Sequence, residues 1–146
     1  MTRSAFIRRL LADRHGAAVI EFAFLAPMMI VLMLGVVQVG IGLQNYNALR
    51  NLSADMARFA MVQYASGNHL SNAQLKTFTE AAGEGAPYLL AKTKLEAAVT
   101  DATVQRVTGA KELTLTVTYQ IPSVADSLGL AGPEISYTRP IFLTNS

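Results

Sequence analysis

Few residues in this chain are of a type that does chemistry, and fewer are spaced for it. Of 146 residues none is cysteine and two are histidine, His15 and His69. Disulfides, thiolate nucleophiles and cysteine metal sites are therefore excluded. His69 falls in a polar stretch with no acid arranged around it, and there is no HExxH pattern. The glycine runs at 83–87 (GEGAP) and 129–133 (GLAGP) lack the lysine and the serine or threonine of a phosphate loop, so they read as turns. Asn51-Leu52-Ser53 matches a glycosylation acceptor, but in mid-helix. Tyr137 and Arg139 read as part of a solvated face. No cofactor, metal or catalytic set is expected, and an enzyme is not. One titratable residue remains in an unusual place: Glu21.

Glu21 is the only formal charge between His15 and Leu49. After it, residues 22–43 carry no charge and one polar side chain, Gln38. As a helix this run would extend about 33 Å, enough to cross the hydrocarbon core of a bilayer. The chain as a whole is 51% hydrophobic and 15% charged. A domain of about 100 residues could hardly bury such a helix on every face.

The net charge of +2 is unevenly held. Arg3, Arg8, Arg9 and Arg14 against Asp13 make the first 16 residues +3, which leaves the remainder at −1. No basic body exists to grip nucleic acid. A basic flank ahead of a span marks the cytoplasmic side, so the part after Arg50 is expected outside the cytoplasm.

Gly16 closes that leader. A peptidase must admit backbone at the scissile bond, and glycine offers no side chain in the way. A cut after Gly16 would expose an amine on Ala17, largely cationic at neutral pH. Glu21 follows one helical turn later and could meet that amine or a neighbouring subunit's. Unpaired at bilayer depth a carboxylate costs at least about 2.5 kcal/mol. The bland alternative is an end charge that snorkels into the headgroups. A conventional secretory signal is a second alternative, since Gly40-Ile41-Gly42 passes as a small-x-small site that would free the rest from Leu43. A single-pass receptor keeping its N-terminus and binding a ligand with its exported part is a third. The secretory alternative leaves Glu21 without a purpose.

The pattern GAAVIEFAFLAPMM, 16–29, places a carboxylate at the fifth position after glycine, an aromatic, Phe22, at the sixth, and Pro27 beyond. It resembles the class III signal of type IV pilins, and more closely the TadE-like minor pseudopilins of the tight-adherence (Flp) branch. The resemblance implies cleavage between Gly16 and Ala17 by prepilin peptidase. It also implies a role for Glu21 and Phe22 in processing and assembly, and a non-enzymatic subunit of a pilus. Its partners would be the peptidase, other pilins and pseudopilins, the assembly platform and membrane lipid. Its place would be the bacterial cytoplasmic membrane, head outward.

Those residues need elements to hold them. A long helix over 17–66 is expected, spanning lipid at about 22–43, with a mild kink at Pro27. Gly35, Gly40 and Gly42 make no GxxxG face, and Met28, Met29 and Met33 read as lipid or subunit contacts. Beyond the span, Leu43, Tyr46, Leu49, Leu52, Met56, Phe59 and Ala60 recur at helical spacing and predict an inward stripe. Gly67 ends that helix. A second helix starts at Ser71 with Gln74 at capping-box spacing, turns Leu75 and Phe78 inward, and stops at 83–87. A further helical turn or two is expected from Tyr88. The period then changes to two: Val99–Val107 and Glu112–Ile121 predict an antiparallel hairpin through a glycine turn. A third strand over 134–143 must be an edge, or break, at Pro140. The fold class is α+β and pilin-like: a cleaved leader 1–16, a long helix 17–66, and an exported head 67–146 with a small antiparallel sheet.

Overall fold

In a computed structural model that describes residues 15–126 and 129–144, the first element is a 51-residue helix, α1, His15–Ala65. Residues 1–14 of the basic leader lie outside the described residues. Helix α1 continues through Pro27 without interruption. It is followed by α2 (Asn72–Glu84), a 3-10 turn (Lys92–Lys94), β1 (Leu95–Asp101), β2 (Lys111–Gln120) and β3 (Glu134–Leu143). A long helix with a three-stranded antiparallel sheet is an α+β, pilin-like layout.

Packing divides the chain within α1 into a unit ending at Gln38 and a unit from Val39 to Ser146. The first unit's described part is bare apolar helix, with Phe22, Phe24, Val31 and Val36 all more than two-thirds exposed. α1 is long and apolar enough to cross a membrane, and none of its apolar window is buried by the rest of the chain.

The second unit has a core. α1 contributes Leu49, Leu52, Met56, Ala57 and Ala60, all buried. Leu43 and Tyr46, expected on the same stripe, are instead 62% and 41% exposed, so the buried face begins only at Leu49. α1 ends in a Schellman motif: Asn68 N–H donates to Gln63 O (2.9 Å) and Gly67 N–H to Tyr64 O (3.0 Å), with Gly67 at φ +82°.

Ser71 caps α2 in a full capping box with Gln74. Leu75, Thr79 and Gly83 are its buried face. Phe78 corrects the expectation: it is 46% exposed and meets Phe59 edge-on at 5.6 Å between centroids. The inward face holds small groups because α2 comes close. A Cβ on Gly83 would fall 2.5 Å from Leu95 Cδ2 and 3.0 Å from Leu52 Cδ2.

The sheet order is β1-β2-β3, antiparallel throughout. β2 alternates as expected, with Leu113, Leu115, Val117 and Tyr119 buried. β1 is displaced from the expected Val99–Val107. It starts at Leu95, and the helical turns expected from Tyr88 shrink to the 3-10 turn. The cause is pairing: Leu95, Ala97 and Val99 stand opposite Tyr119, Val117 and Leu115, and this cross-strand fit outweighs the helix propensity of Lys, Glu and Ala. Residues 102–110 then form a loop, with Val104 72% and Val107 45% exposed. β3 runs unbroken through Pro140, opposite Thr114, and is an edge strand as the proline requires. On β1's free side, Ala97 N–H donates to Glu80 Oε1 of α2 at 3.2 Å.

Candidate functional site

The residues of the sequence pattern fall on the first four turns of α1. Gly16 is helical and exposed, and no heavy atom lies within 4 Å of where its Cβ would stand. Nothing in the fold, then, demands glycine there. Ala17 and Glu21 stand one turn apart on this helix, the spacing at which side chains share a face. Glu21 is exposed and has no hydrogen bond or ion pair among the described residues. Phe22 is 67% exposed, and Pro27 is exposed within the continuous helix. A carboxylate, an aromatic and a proline thus stand on a bare apolar helix, engaged with nothing in the described chain.

Elsewhere the structure joins residues that the sequence does not single out. Glu112 lies on the polar-facing side of β2 yet is 1% exposed. Arg106, from the 102–110 loop, closes over it. Its Nε donates to Glu112 Oε1 at 2.7 Å, its Nη2 donates to the same oxygen, and its backbone N–H donates to Oε2 at 2.9 Å. The guanidinium also lies 5.5 Å over the ring of Phe142. Hydrogen bonds from the Arg106 side chain and backbone hold the Glu112 carboxyl below its usual range, and Glu112 raises Arg106 in turn. Lys94 (3.0 Å) and the Ser123 N–H (3.2 Å) likewise lower Asp126. Tyr88 donates to Asp55 on α1. Burial first, then that hydrogen bond and the nearby negative charge, push its hydroxyl up to about 12. These are fastenings of loops to the core.

Two other sequence features find ordinary places. His69 stacks on Tyr64 at 4.2 Å, and Tyr137 meets Tyr46 edge-on at 6.0 Å. Ser53 of the acceptor pattern is fully buried, its hydroxyl donating to Leu49 O at 2.7 Å. Among the described residues no group of three or more His, Asp or Glu is placed to hold a metal.

Residues 16–58 match the family model described as TadE-like protein. No curated protein and no solved structure matches the chain. The match opens on Gly16, takes in Glu21, Phe22 and Pro27, and closes within α1, leaving the rest of the head unmatched. The chain is thus similar to the TadE-like family model from Gly16 to Arg58, less than half of its length.

Proposed function

We propose that the protein is a TadE-like minor pseudopilin, a membrane-anchored subunit without enzymatic activity that helps assemble or initiate a tight-adherence pilus. In this reading prepilin peptidase cuts between Gly16 and Ala17 on the cytoplasmic side. The 22–43 segment spans the membrane, and the α+β head lies outside the cytoplasm. One observation carries the reading: the family match begins at a glycine that no packing among the described residues requires, followed by an exposed carboxylate without a partner among them. A residue that the chain itself does not use is best explained by something outside the chain. For Gly16 that is the peptidase, and for Glu21 the N-terminal amine of a packed neighbour. Inside a packed assembly that excludes water, an unpaired charge would be costly, so the two charges select each other.

The test is processing followed by assembly. Replacing Gly16 with a bulky residue should leave insertion intact and block removal of the leader, read as the mature mass after co-expression with the peptidase. Glu21→Ala and Glu21→Gln should be inserted and cut normally yet fail to cross-link to partner pilins, with Glu21→Asp intermediate. An unchanged mature mass in the Gly16 variant defeats the prepilin reading. Undiminished cross-linking of Glu21→Ala reduces the carboxylate to a snorkelling end charge.

A further inference from the structure

Among the described residues, most charges of the Val39–Ser146 unit are matched inside it. Lys76 faces Glu80 (3.7 Å), Lys92 faces Glu84 (3.6 Å), Lys94 faces Asp126 (3.0 Å), Lys111 faces Asp101 (3.3 Å), and Arg106 holds Glu112. The charges of this unit left unmatched among the described residues are two cations, Arg50 and Arg139, and two acids, Glu96 and Glu134. Glu96 and Glu134 have no ionic or hydrogen-bonding partner among the described residues. Both line one depression at one end of the sheet, beside Thr118 and Gln120. Lys76 and Lys94 border the same depression; Lys94 is held by Asp126 at 3.0 Å, and Lys76 faces, at 3.7 Å, a Glu80 that also accepts from the Ala97 N–H.

Arg139 is also unmatched among the described residues. It lines a groove of about 420 Å³ between α1 and the edge strand β3, together with Arg58, Met61 and Ile141. No carboxylate lines this groove. Arg58 reaches Asp55 only at 3.7 Å, with both side chains more than half exposed. Such a pair is weakly held and can be exchanged. The unit therefore presents a surface with one spare guanidinium, Arg139, beside a loosely paired one, Arg58, and, elsewhere, a surface with two spare carboxylates.

We propose that the Arg58–Arg139 groove of one copy receives the Glu96–Glu134 face of a second copy of this chain. The two surfaces differ, so the contact is heterologous: each copy that gives its acidic face still has its basic groove open for another. Glu134 and Arg139 are five positions apart on β3, about 17 Å along a strand. Copies with parallel strands therefore meet with an axial offset and do not sit level. Opposed charges of this kind fix partner and register more than they add affinity, and salt weakens them. The contact rests on the reading of the chain as an assembly subunit, since it needs copies facing the same way in one membrane.

The chain has no cysteine, so single cysteines report the contact cleanly. Met61→Cys marks the groove and Gln120→Cys the acidic face. The two full-length variants are co-expressed with distinguishable tags and oxidised in the native membrane. A disulfide between the two variants is expected, with little in either variant alone. Arg139→Glu in the groove-marked copy should lower its yield about tenfold, and so should Glu134→Lys in the other copy, because each sets like charges face to face. Combining both reversals should restore the yield to within about twofold of the parent, which a merely misfolded variant would not do. The proposal is overturned by equal disulfide formation in either single variant, by a yield that ignores the reversals, or by reversals that do not rescue each other. It is equally overturned if the parent pair forms no disulfide, including where the probes capture another pilus protein instead. Leader removal is read by mass on the same samples, so a failure of processing is seen separately from a failure of this contact.

Discussion

Leu43 and Leu49 offer a paired test of where α1 becomes part of the head. Both are leucines on one helix, six residues apart; Leu43 is 62% exposed and Leu49 fully buried. Leu49→Ala removes three carbons from a packed core. The transfer loss is about 2.4 kcal/mol at roughly 0.8 kcal/mol for each carbon. The unfilled cavity brings the total to about 3 to 5 kcal/mol. Against a usual domain stability of about 5 to 15 kcal/mol that is a large fraction. It corresponds to a fall in Tm of at least about 12 °C for a head of this size. Leu43→Ala should cost less than about 0.5 kcal/mol. The assay is thermal unfolding of full-length protein in mild detergent, followed by near-ultraviolet circular dichroism. There is no tryptophan, and Tyr46, Tyr64, Tyr88, Tyr119 and Tyr137 all lie beyond Val39, so the tyrosine signal reports the head. A fall of less than about 4 °C for Leu49→Ala, near the ~1 kcal/mol level, would refute the assignment of α1 to the head core. Equal falls for the two variants would do the same.

Three further outcomes are expected. Gly132→Ala should destabilise by about 1 to 3 kcal/mol in the same assay, because its Cβ would fall 2.0 Å from Ile121 O, beside the Ile121 N–H bond to Pro133 O. Acid should weaken the head: Glu112 and Asp126 have lowered pKa values, so their stabilisation is complete above the ordinary carboxylate range near about 4.3 and is lost as pH falls through the lowered values. Tm measured down a pH series should show this, and Glu112→Gln should start lower at neutral pH and lose less on acidification. Tyr88 is raised instead, so its contribution is complete below about pH 10 and is lost as pH rises through about 12. Phenolate absorbance should show one late-titrating tyrosine, and Asp55→Asn should bring that step only part of the way down, since burial is the larger cause.

What the sequence reveals here is local, and what it hides is not. β2 was readable because its alternation is complete within ten residues, and α2 because Ser71 and Gln74 signal a cap three residues apart. The Gly16, Glu21, Phe22 and Pro27 pattern is likewise contiguous, and it is the stretch on which the family match begins. β1 begins four residues before its alternation predicts because its start is chosen by partners on β2, about twenty residues onward, against its own helix-forming composition. Phe78 faces outward, against the periodicity, because spacing alone does not show how closely α2 approaches the core at Gly83. The burial of Glu112 depends on a loop that folds back over the sheet, and Arg58 and Arg139 meet across eighty residues of chain. No window of sequence contains either fact.

The two outer strands of the sheet bear on how such a head survives crowding in a membrane. A three-stranded sheet has two open sides, and each is a template on which another chain's strand can add without limit. Here α2 lies along one, with Glu80 occupying the Ala97 amide of β1. The other carries Pro140 in the middle of β3. A proline is tolerated in a ladder where its ring nitrogen faces the open side, and there it interrupts the row of donors that an incoming strand would need. Backbone pairing, which is strong and indifferent to sequence, is thereby discouraged on both sides. In the proposed assembly, recognition between heads is left to side chains, whose charges and shapes distinguish one neighbour from another and let go again.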